Sequence, residues 1–317
     1  MTDFTEFHDE LRSVAGDLLA KDRDTTWETL VDAGWVGLEV PEQFGGAGAS
    51  FAEAAVVCEE IGRAVSATHF LGSAVLAVGT LNALRPSATR DQLLTDVASG
   101  ASRVAVALEP YDFVPDAEAA DRILIVTDRG VGVTDAPATP RPVVDKTRRL
   151  AAVERNAPTT ETLPFIGDPA AAVQRLHDRA ATAIACDSLG LSEAMLAATV
   201  GYAKVRHQFG RAIGSFQAVK HACADMQVAI SVSRQLVDDA IQAVANDSPN
   251  ADVATAMAKS YACTAAVDIA GKAMQLHGGI GYTWESGIHV YLKRATLNRA
   301  LFGSPAAHRK RLAKRYQ

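Results

Sequence analysis

The spacing of apolar residues divides the chain into three stretches. Over residues 1–100 the spacing is helical. Phe7, Leu11, Val14 and Leu18 recur every three or four positions, the repeat that lines up side chains on one helix face. Leu30 to Trp35 close a second predicted helix, and the Pro/Gly run "VPEQFGGAGAS" predicts a loop. Helical spacing then resumes from Phe51 to Val65. Over residues 101–166 the period changes. Val104, Val106 and Leu108 alternate and "RILIVT" is β-rich, whereas "DRGVGVTD" and "APATPRP" read as turns. That stretch suffices for a small sheet and little else. Over 167–317 the helical period returns with few breakers. Val219, Cys223, Met226, Ile230, Val237, Ile241 and Val244 keep the spacing of antiparallel bundle helices, and "NDSPN" at 246–250 predicts a turn between two of them. The expected architecture is mainly α: an N-terminal α-helical domain (1–100), a reduced middle β domain (101–166) and a C-terminal four-helix bundle (167–317).

Composition narrows the possible partners. A net charge of -6 gives no electrostatic reason to expect nucleic acid or an anionic membrane. The four cysteines, at 58, 186, 223 and 263, form no CxxC pair for metal binding or electron shuttling. No metal is expected. The opening "MTDFTEFHDELRS" lacks the basic-then-apolar pattern of a secretion signal. The apolar run from Phe70 to Leu84 is too short to span a bilayer. These features predict a cytoplasmic protein.

Familiar catalytic motifs are missing. No histidine follows a carboxylate by three positions, so the ExxH pair of di-iron bundles is not present. No GxSxG, P-loop or complete GxGxxG occurs; "GGIGYTW" lacks the last glycine and sits in helical context. Two polar stretches of the predicted bundle stand out instead. In "YAKVRHQFGRAIGSFQAVKHACADM" (202–226), Arg206, His207 and Gln208 precede a Phe-Gly loop, and Phe216-Gln217 opens the next helix. A helix end beside a helix start gathers backbone N–H groups, an arginine and an amide, which suits a phosphate or pyrophosphate. In "QLHGGIGYTWE" (275–285) two glycines end a long helix and permit close approach. Helix-end arginines and glycine caps are also ordinary structural features, and spacing alone leaves both readings open.

Taken together, these two motifs closely resemble the acyl-CoA dehydrogenase family of flavoproteins. The stretch "AGWVGLEVPEQFGGAGASFAEAAVVCEEIGRA" resembles that family's first domain, and "VPDAEAADRILIV" its β domain more loosely. The resemblance runs over nearly the whole chain and keeps the eleven-residue gap from Arg206 to Gln217. It implies the same helical, β and four-helix-bundle order that the spacing predicts. It also implies α,β-desaturation of an acyl-CoA thioester, in which a glutamate takes the α-proton and the β-hydride passes to FAD. Electrons then leave to an electron-transfer flavoprotein. FAD in this family lies across a subunit boundary.

The resemblance assigns this chain one half of that arrangement. Arg206, Gln208, Phe209, Gln217, Gln275, Gly278 and Gly279 match positions that one subunit lends to its neighbour's FAD. Arg206 is expected on the pyrophosphate, Gln217 and Gln275 as amide donors, and Gly278-Gly279 as room for the cofactor. The other half departs from the pattern. Where the family has Thr-Glu-Pro followed by Gly-Ser-Asp, this chain reads "ALEPYDFVPDAEAAD", and its β domain has no tryptophan. The spacer "KDRDTT" between the first two helices is short.

No catalytic residue is assigned. In one branch of the family the basic glutamate lies in a Glu-Gly-Thr before the last helix; here Gly303-Ser304-Pro305 stands there. In the other branch its place falls near Ala180, where only Asp178 is at hand as a shifted substitute. His177 and His308 are expected at the surface, and Glu285 matches a family carboxylate outside the acid–base role. Losing a general base costs about 10²–10⁴-fold in rate. The expected protein is therefore a non-catalytic subunit of an α2β2 acyl-CoA dehydrogenase. A catalytic partner subunit would bind most of the acyl-CoA, by analogy a steroid-derived one. An active homotetramer with an unusual base, and a helical interaction module without flavin, are the alternatives.

Overall fold

In a computed structural model of the chain, residues 5–21 and 23–315 are described. The first third is helical: α1 (Thr5–Leu19), α2 (Trp27–Asp32), α3 (Phe51–Ala64), a wide π-helical segment Phe70–Ala77 running into α4 (Val78–Asn82), and α5 (Ala88–Ala98). The stripe predicted for α1 is rotated from the one that packs. Phe7 and Val14 are about half exposed, while Ala15 and Leu19 are buried. The second helix also stops at Asp32, earlier than predicted, and Trp35–Gly37 forms a separate 3₁₀ turn. Of the "KDRDTT" spacer, Asp22 lies outside the described residues.

Helix α3 begins in a full capping box. Ser50 Oγ accepts from the Ala52 N–H at 3.1 Å, and the Glu53 carboxylate accepts from the Ser50 N–H at 2.7 Å. His8 of α1 reaches the other Glu53 oxygen at 2.8 Å. The helix is buried along most of its length.

The middle third holds seven short strands: β1 (Val104–Ala107), β2 (Val114–Pro115), β3 (Arg122–Thr127), β4 (Gly130–Thr134), β5 (Thr139–Pro140), β6 (Leu150–Ala152) and β7 (Glu161–Leu163). One sheet has the order β1-β3-β4-β7, with β1 and β3 parallel; the other has the order β2-β6-β5. The reading of "DRGVGVTD" as a turn is corrected here. Gly130–Thr134 is a fully buried interior strand that pairs with β3 and β7, and only the two residues before it turn.

The last third is the bundle. Helix α6 (Pro169–Val205) runs 37 residues and starts with Asp168 accepting from the Ala171 N–H at 2.8 Å, with Pro169 at the first helical position. A small hairpin, β8 (His207–Gln208) and β9 (Arg211–Ala212), leads to α7 (Gln217–Ala245), α8 (Ala251–His277), α9 (Ile288–Ala300) and α10 (Pro305–Arg315). Helices α6 and α8 run parallel, joined by Thr182–Thr255 at 3.0 Å, Ser188–Cys263 at 3.3 Å and a Tyr202–His277 ring stack at 4.5 Å. Helix α6 is long and apolar enough to cross a membrane, unlike the Phe70–Leu84 run; 67% of its most apolar window is buried inside the protein.

At the crossing of α3 and α6 the backbones touch. A side chain at Gly62 would collide with the Asp187 backbone, and one at Gly190 with that of Glu59. Beside this crossing lies a buried polar knot. Asp187 accepts from Arg294 Nε at 3.0 Å and from Asn298 Nδ2 at 2.6 Å, and pairs with Arg148 at 3.0 Å. Burial raises the Asp187 pKa, but the charges of Arg294 and Arg148 outweigh it and hold the carboxyl below its usual range. Because Arg148 comes from the loop before β6, this knot fastens the sheet region to the bundle.

Candidate functional site

The C-terminal ends of α6 and α8 lie side by side, brought together by the Tyr202–His277 stack. His277 is fixed by its own helix, with Nδ1 2.8 Å from the Ala273 carbonyl. This stack places the two polar motifs on one end of the bundle. Neither member stood out as functional in the sequence, although both lie within the quoted motifs.

Arg206 caps α6 in an extended conformation, and its carbonyl accepts from the Ile213 N–H at 2.8 Å. The hairpin turn that follows has Phe209 at φ 51° and Gly210 at φ 77°, the pair of positive φ values that a type I′ turn requires. It holds Phe209 out at 91% exposure. Phe216 meets the Phe209 ring edge-on at 6.2 Å and carries the Arg211 guanidinium at 4.1 Å. Gln208 and Gln217 are exposed on either side of this turn.

At the end of α8, Gln275, Gly278 and Gly279 are exposed. Gly278 has φ +62°, and a Cβ at either glycine would meet nothing within 4 Å. Among the described residues, no hydrogen bond or ion pair within the chain engages the side chains of Arg206, Gln208, Gln217 or Gln275. A five-donor guanidinium, three free amides, an exposed aromatic ring and an unobstructed glycine turn thus share one surface. That donor set fits the pyrophosphate and nucleoside part of a dinucleotide.

The opposite end of α6 is different. From Gln174 to Val205 the helix rises about 1.5 Å per residue, so the two ends stand roughly 45 Å apart. Near its start lies a cleft of about 350 Å³, walled by Val106, Leu108, Phe113, Leu301 and Phe302 and reached by His177, His308 and Arg311. The Gly303-Ser304-Pro305 joint between α9 and α10 forms one side. Lys259, fully buried, donates to the carbonyls of Asn298 at 2.8 Å and Gly303 at 3.1 Å. His308 Nε2 lies 3.0 Å from the Phe302 carbonyl. Contrary to the surface expectation, His308 is only 6% exposed, packed under the joint it holds; His177 is half-buried.

The carboxylates near this cleft are otherwise engaged. Asp178 is 2% exposed and accepts from Gln174 at 3.0 Å and Arg311 at 2.8 Å. Burial raises its pKa ahead of the opposing Arg311 charge. Glu109 stands exposed at the rim, 3.7 Å from Arg155. Glu285 is exposed, away from these contacts. Among the described residues no group of three or more His, Cys, Asp and Glu side chains is arranged to hold a metal ion.

Fold and site together define a flavoprotein dehydrogenase scaffold. Residues 5–101 match the acyl-CoA dehydrogenase N-terminal domain and residues 170–317 the acyl-CoA dehydrogenase C-terminal domain. The acyl-CoA dehydrogenase IpdE2 of Mycobacterium tuberculosis is 38% identical over 93% of this chain and 88% of its own length. Among solved structures, the Tcur3481–Tcur3483 steroid ACAD superposes with a TM-score of 0.85 at 26% identity, covering 98% of each chain. The ChsE4–ChsE5 complex of Mycobacterium tuberculosis gives 0.84 at 22% identity over 99% of this chain and 97% of that one, a likeness of fold. The chain belongs to the acyl-CoA dehydrogenase family, whose members are FAD-dependent oxidoreductases.

Proposed function

We propose that this chain is the FAD-completing, non-catalytic subunit of a heteromeric acyl-CoA dehydrogenase, in an α2β2 particle. Arg206 would pair with the FAD pyrophosphate, and Gln208, Gln217 and Gln275 would supply amide hydrogen bonds to the cofactor. Phe209 packs on it, and Gly278 and Gly279 leave it room. FAD held there would supply the hydride acceptor for desaturation of the substrate. The partner subunit holds the flavin ring and most of the acyl-CoA, a steroid-derived thioester by analogy with the steroid ACAD neighbour. An electron-transfer flavoprotein takes the electrons, and the complex works in the cytoplasm.

The observation that carries this reading is the state of the joint. Gly303 stands where one branch of the family has its glutamate. Its φ is +99°, and a Cβ there would sit 2.7 Å from His308 Nε2. Any side chain at that position is strained by its backbone and blocked by a buried imidazole. The half-site and the joint also lie at opposite ends of α6, too far apart to serve one cofactor molecule within a single chain. Two further observations support the assembly: both structural neighbours carry two-component names, and the half-site donors face outward with no partner of their own.

Co-expression with the partner subunit, followed by FAD quantification, tests the proposal. One FAD per pair of unlike chains, held about 10–100-fold more weakly on Arg206→Ala, is expected. A yellow, active product from this chain alone contradicts it.

A further inference from the structure

A second cavity, of about 570 Å³, opens on another face of α6, between the N-terminal helical region and the α7–α8 turn. Ala172, Leu176 and Arg179 line it from α6, whereas Gln174 and His177 face the cleft at the joint; helical spacing puts the two sets on different sides of the helix. We propose that this cavity binds a small neutral carboxamide through the buried pair Glu39–Arg179. The pair is built into the wall. The two side chains are only 8% and 10% exposed, and Arg179 Nη2 donates to Glu39 Oε2. Arg179 Nε donates to the Val75 carbonyl at 2.7 Å, and the guanidinium lies over the Phe51 ring at 4.7 Å. Gly79 gives the arginine passage, since a Cβ there would collide with its Nε. Asn82 Nδ2 fixes the Glu39 backbone by donating to its carbonyl at 3.0 Å. Two atoms of this pair are left over. Among the described residues, Arg179 Nη1 and Glu39 Oε1 make no hydrogen bond, and neither is sealed from solvent. Nη1 shares Cζ with the paired Nη2, and Oε1 shares Cδ with the paired Oε2, so a free donor and a free acceptor flank one contact. Both residues line the cavity.

A carboxamide offers the complement, a carbonyl for Nη1 and an N–H for Oε1. A carboxylate brings no proton and sets a second negative charge against Glu39. An ammonium cannot accept from the guanidinium and is repelled by it. An ester accepts only, leaving Oε1 unpaired. Burial pushes the Glu39 pKa up against the pull of the Arg179 charge, and an N–H donated to the carboxylate favours its charged form. The rest of the wall is largely apolar, with Phe51, Ala83, Ile166, Leu176 and Val244 to hold the body of the ligand. The volume falls within the range of small-molecule pockets.

The test titrates the full chain with adamantane-1-carboxamide, methyl adamantane-1-carboxylate and adamantane-1-carboxylate by isothermal calorimetry. Saturable binding of the amide is expected, at least about 10-fold tighter than the ester or the carboxylate, the worth of one hydrogen bond to a charged group. Glu39→Gln keeps an oxygen for Arg179 but turns the free acceptor into an N–H donor. The order should then invert, with the carboxylate tighter than the amide. Should that variant not fold, the wild-type ratio and Gly167→Trp decide. Gly167 is exposed on the cavity wall, where a Cβ meets nothing within 4 Å, and the added indole should abolish binding. Equal affinity for amide and ester overturns the proposal, as does amide binding that survives Gly167→Trp, or an unchanged order in a folded Glu39→Gln. No saturable binding, meaning that the cavity holds water only, overturns it as well. Arg206→Ala should leave amide binding unchanged, which separates this inference from the FAD half-site.

Discussion

The two ends of α6 use the same kinds of residue for opposite purposes. At the C-terminal end, Arg206, three glutamines and Phe209 are exposed and unengaged, held in position by the Tyr202–His277 stack and a tight hairpin. At the N-terminal end, Lys259 Nζ, His308 Nε2 and one terminal nitrogen of Arg311 are committed to carbonyls and a carboxylate. Exposed, unspent donors cost little to keep in water and are free to bind. Buried, spent donors fix a corner. Groups prepared for a ligand from outside and groups prepared for the fold are therefore told apart by whether their hydrogen bonds close within the chain.

Restoring a glutamate at the joint probes that contrast most severely. Gly303→Glu must adopt a positive φ and displace His308. The expected result is a loss of about 3–4 kcal/mol, the sum of backbone strain and a broken buried contact, read as a lower urea midpoint, with no gain of dehydrogenase activity. Measurable activity in that variant without its partner would break the comparison.

Next in size is a pH effect carried by His308. Burial lowers its pKa to about 4, against about 6.5 in an unfolded chain. Between those values the unfolded state takes up a proton that the native state refuses. The contribution is therefore complete above pH 6.5 and is lost as pH falls toward 4, by about 3 kcal/mol. Stability measured at pH 7.5, 6 and 5 should decline with this slope in the wild type. His308→Phe should flatten the slope, leaving the part that belongs to His69 and His177, whose pKa values burial also lowers; an unchanged slope places the titration elsewhere.

At the open end, Arg206→Ala should weaken FAD binding by the complex about 10–100-fold, the loss of charged hydrogen bonds to a pyrophosphate. The stability of the chain should change by less than about 0.5 kcal/mol, as for exposed substitutions in general. Fluorescence titration with FAD and a denaturation curve read the two quantities separately. Phe209→Ala carries the smallest effect on the isolated chain, also under about 0.5 kcal/mol. Its weight should show instead in slower assembly with the partner, followed by size-exclusion chromatography.

Much of the fold was legible in the sequence because bundle helices repeat their apolar positions over many turns. The run from Val219 to Val244 fell inside one helix, and the predicted turn at 246–250 separates α7 from α8. Strand β4 was missed because glycine at 130 and 132 imitates turn composition. The structure gives the reason for both: a Cβ at Gly130 would strike the Leu163 carbonyl at 2.7 Å, and one at Gly132 the Thr159 side chain at 2.6 Å. The residues of the half-site were legible because they sit in two continuous motifs. The fate of the joint was not. Its closure depends on Lys259, distant in sequence, and on His308 lying beneath α9, and neither contact leaves a local pattern. Composition could place a glycine at the joint; only the packing shows that no side chain fits there.

The central claim is that this chain completes an FAD site without owning one. The most direct measurement is the ratio of FAD to each chain in the purified, co-expressed complex, from flavin absorbance and quantitative amino-acid analysis. Two FAD per α2β2 particle, with none retained by this chain alone, is the predicted result. Four FAD per particle, or a full complement on this chain by itself, would contradict the account.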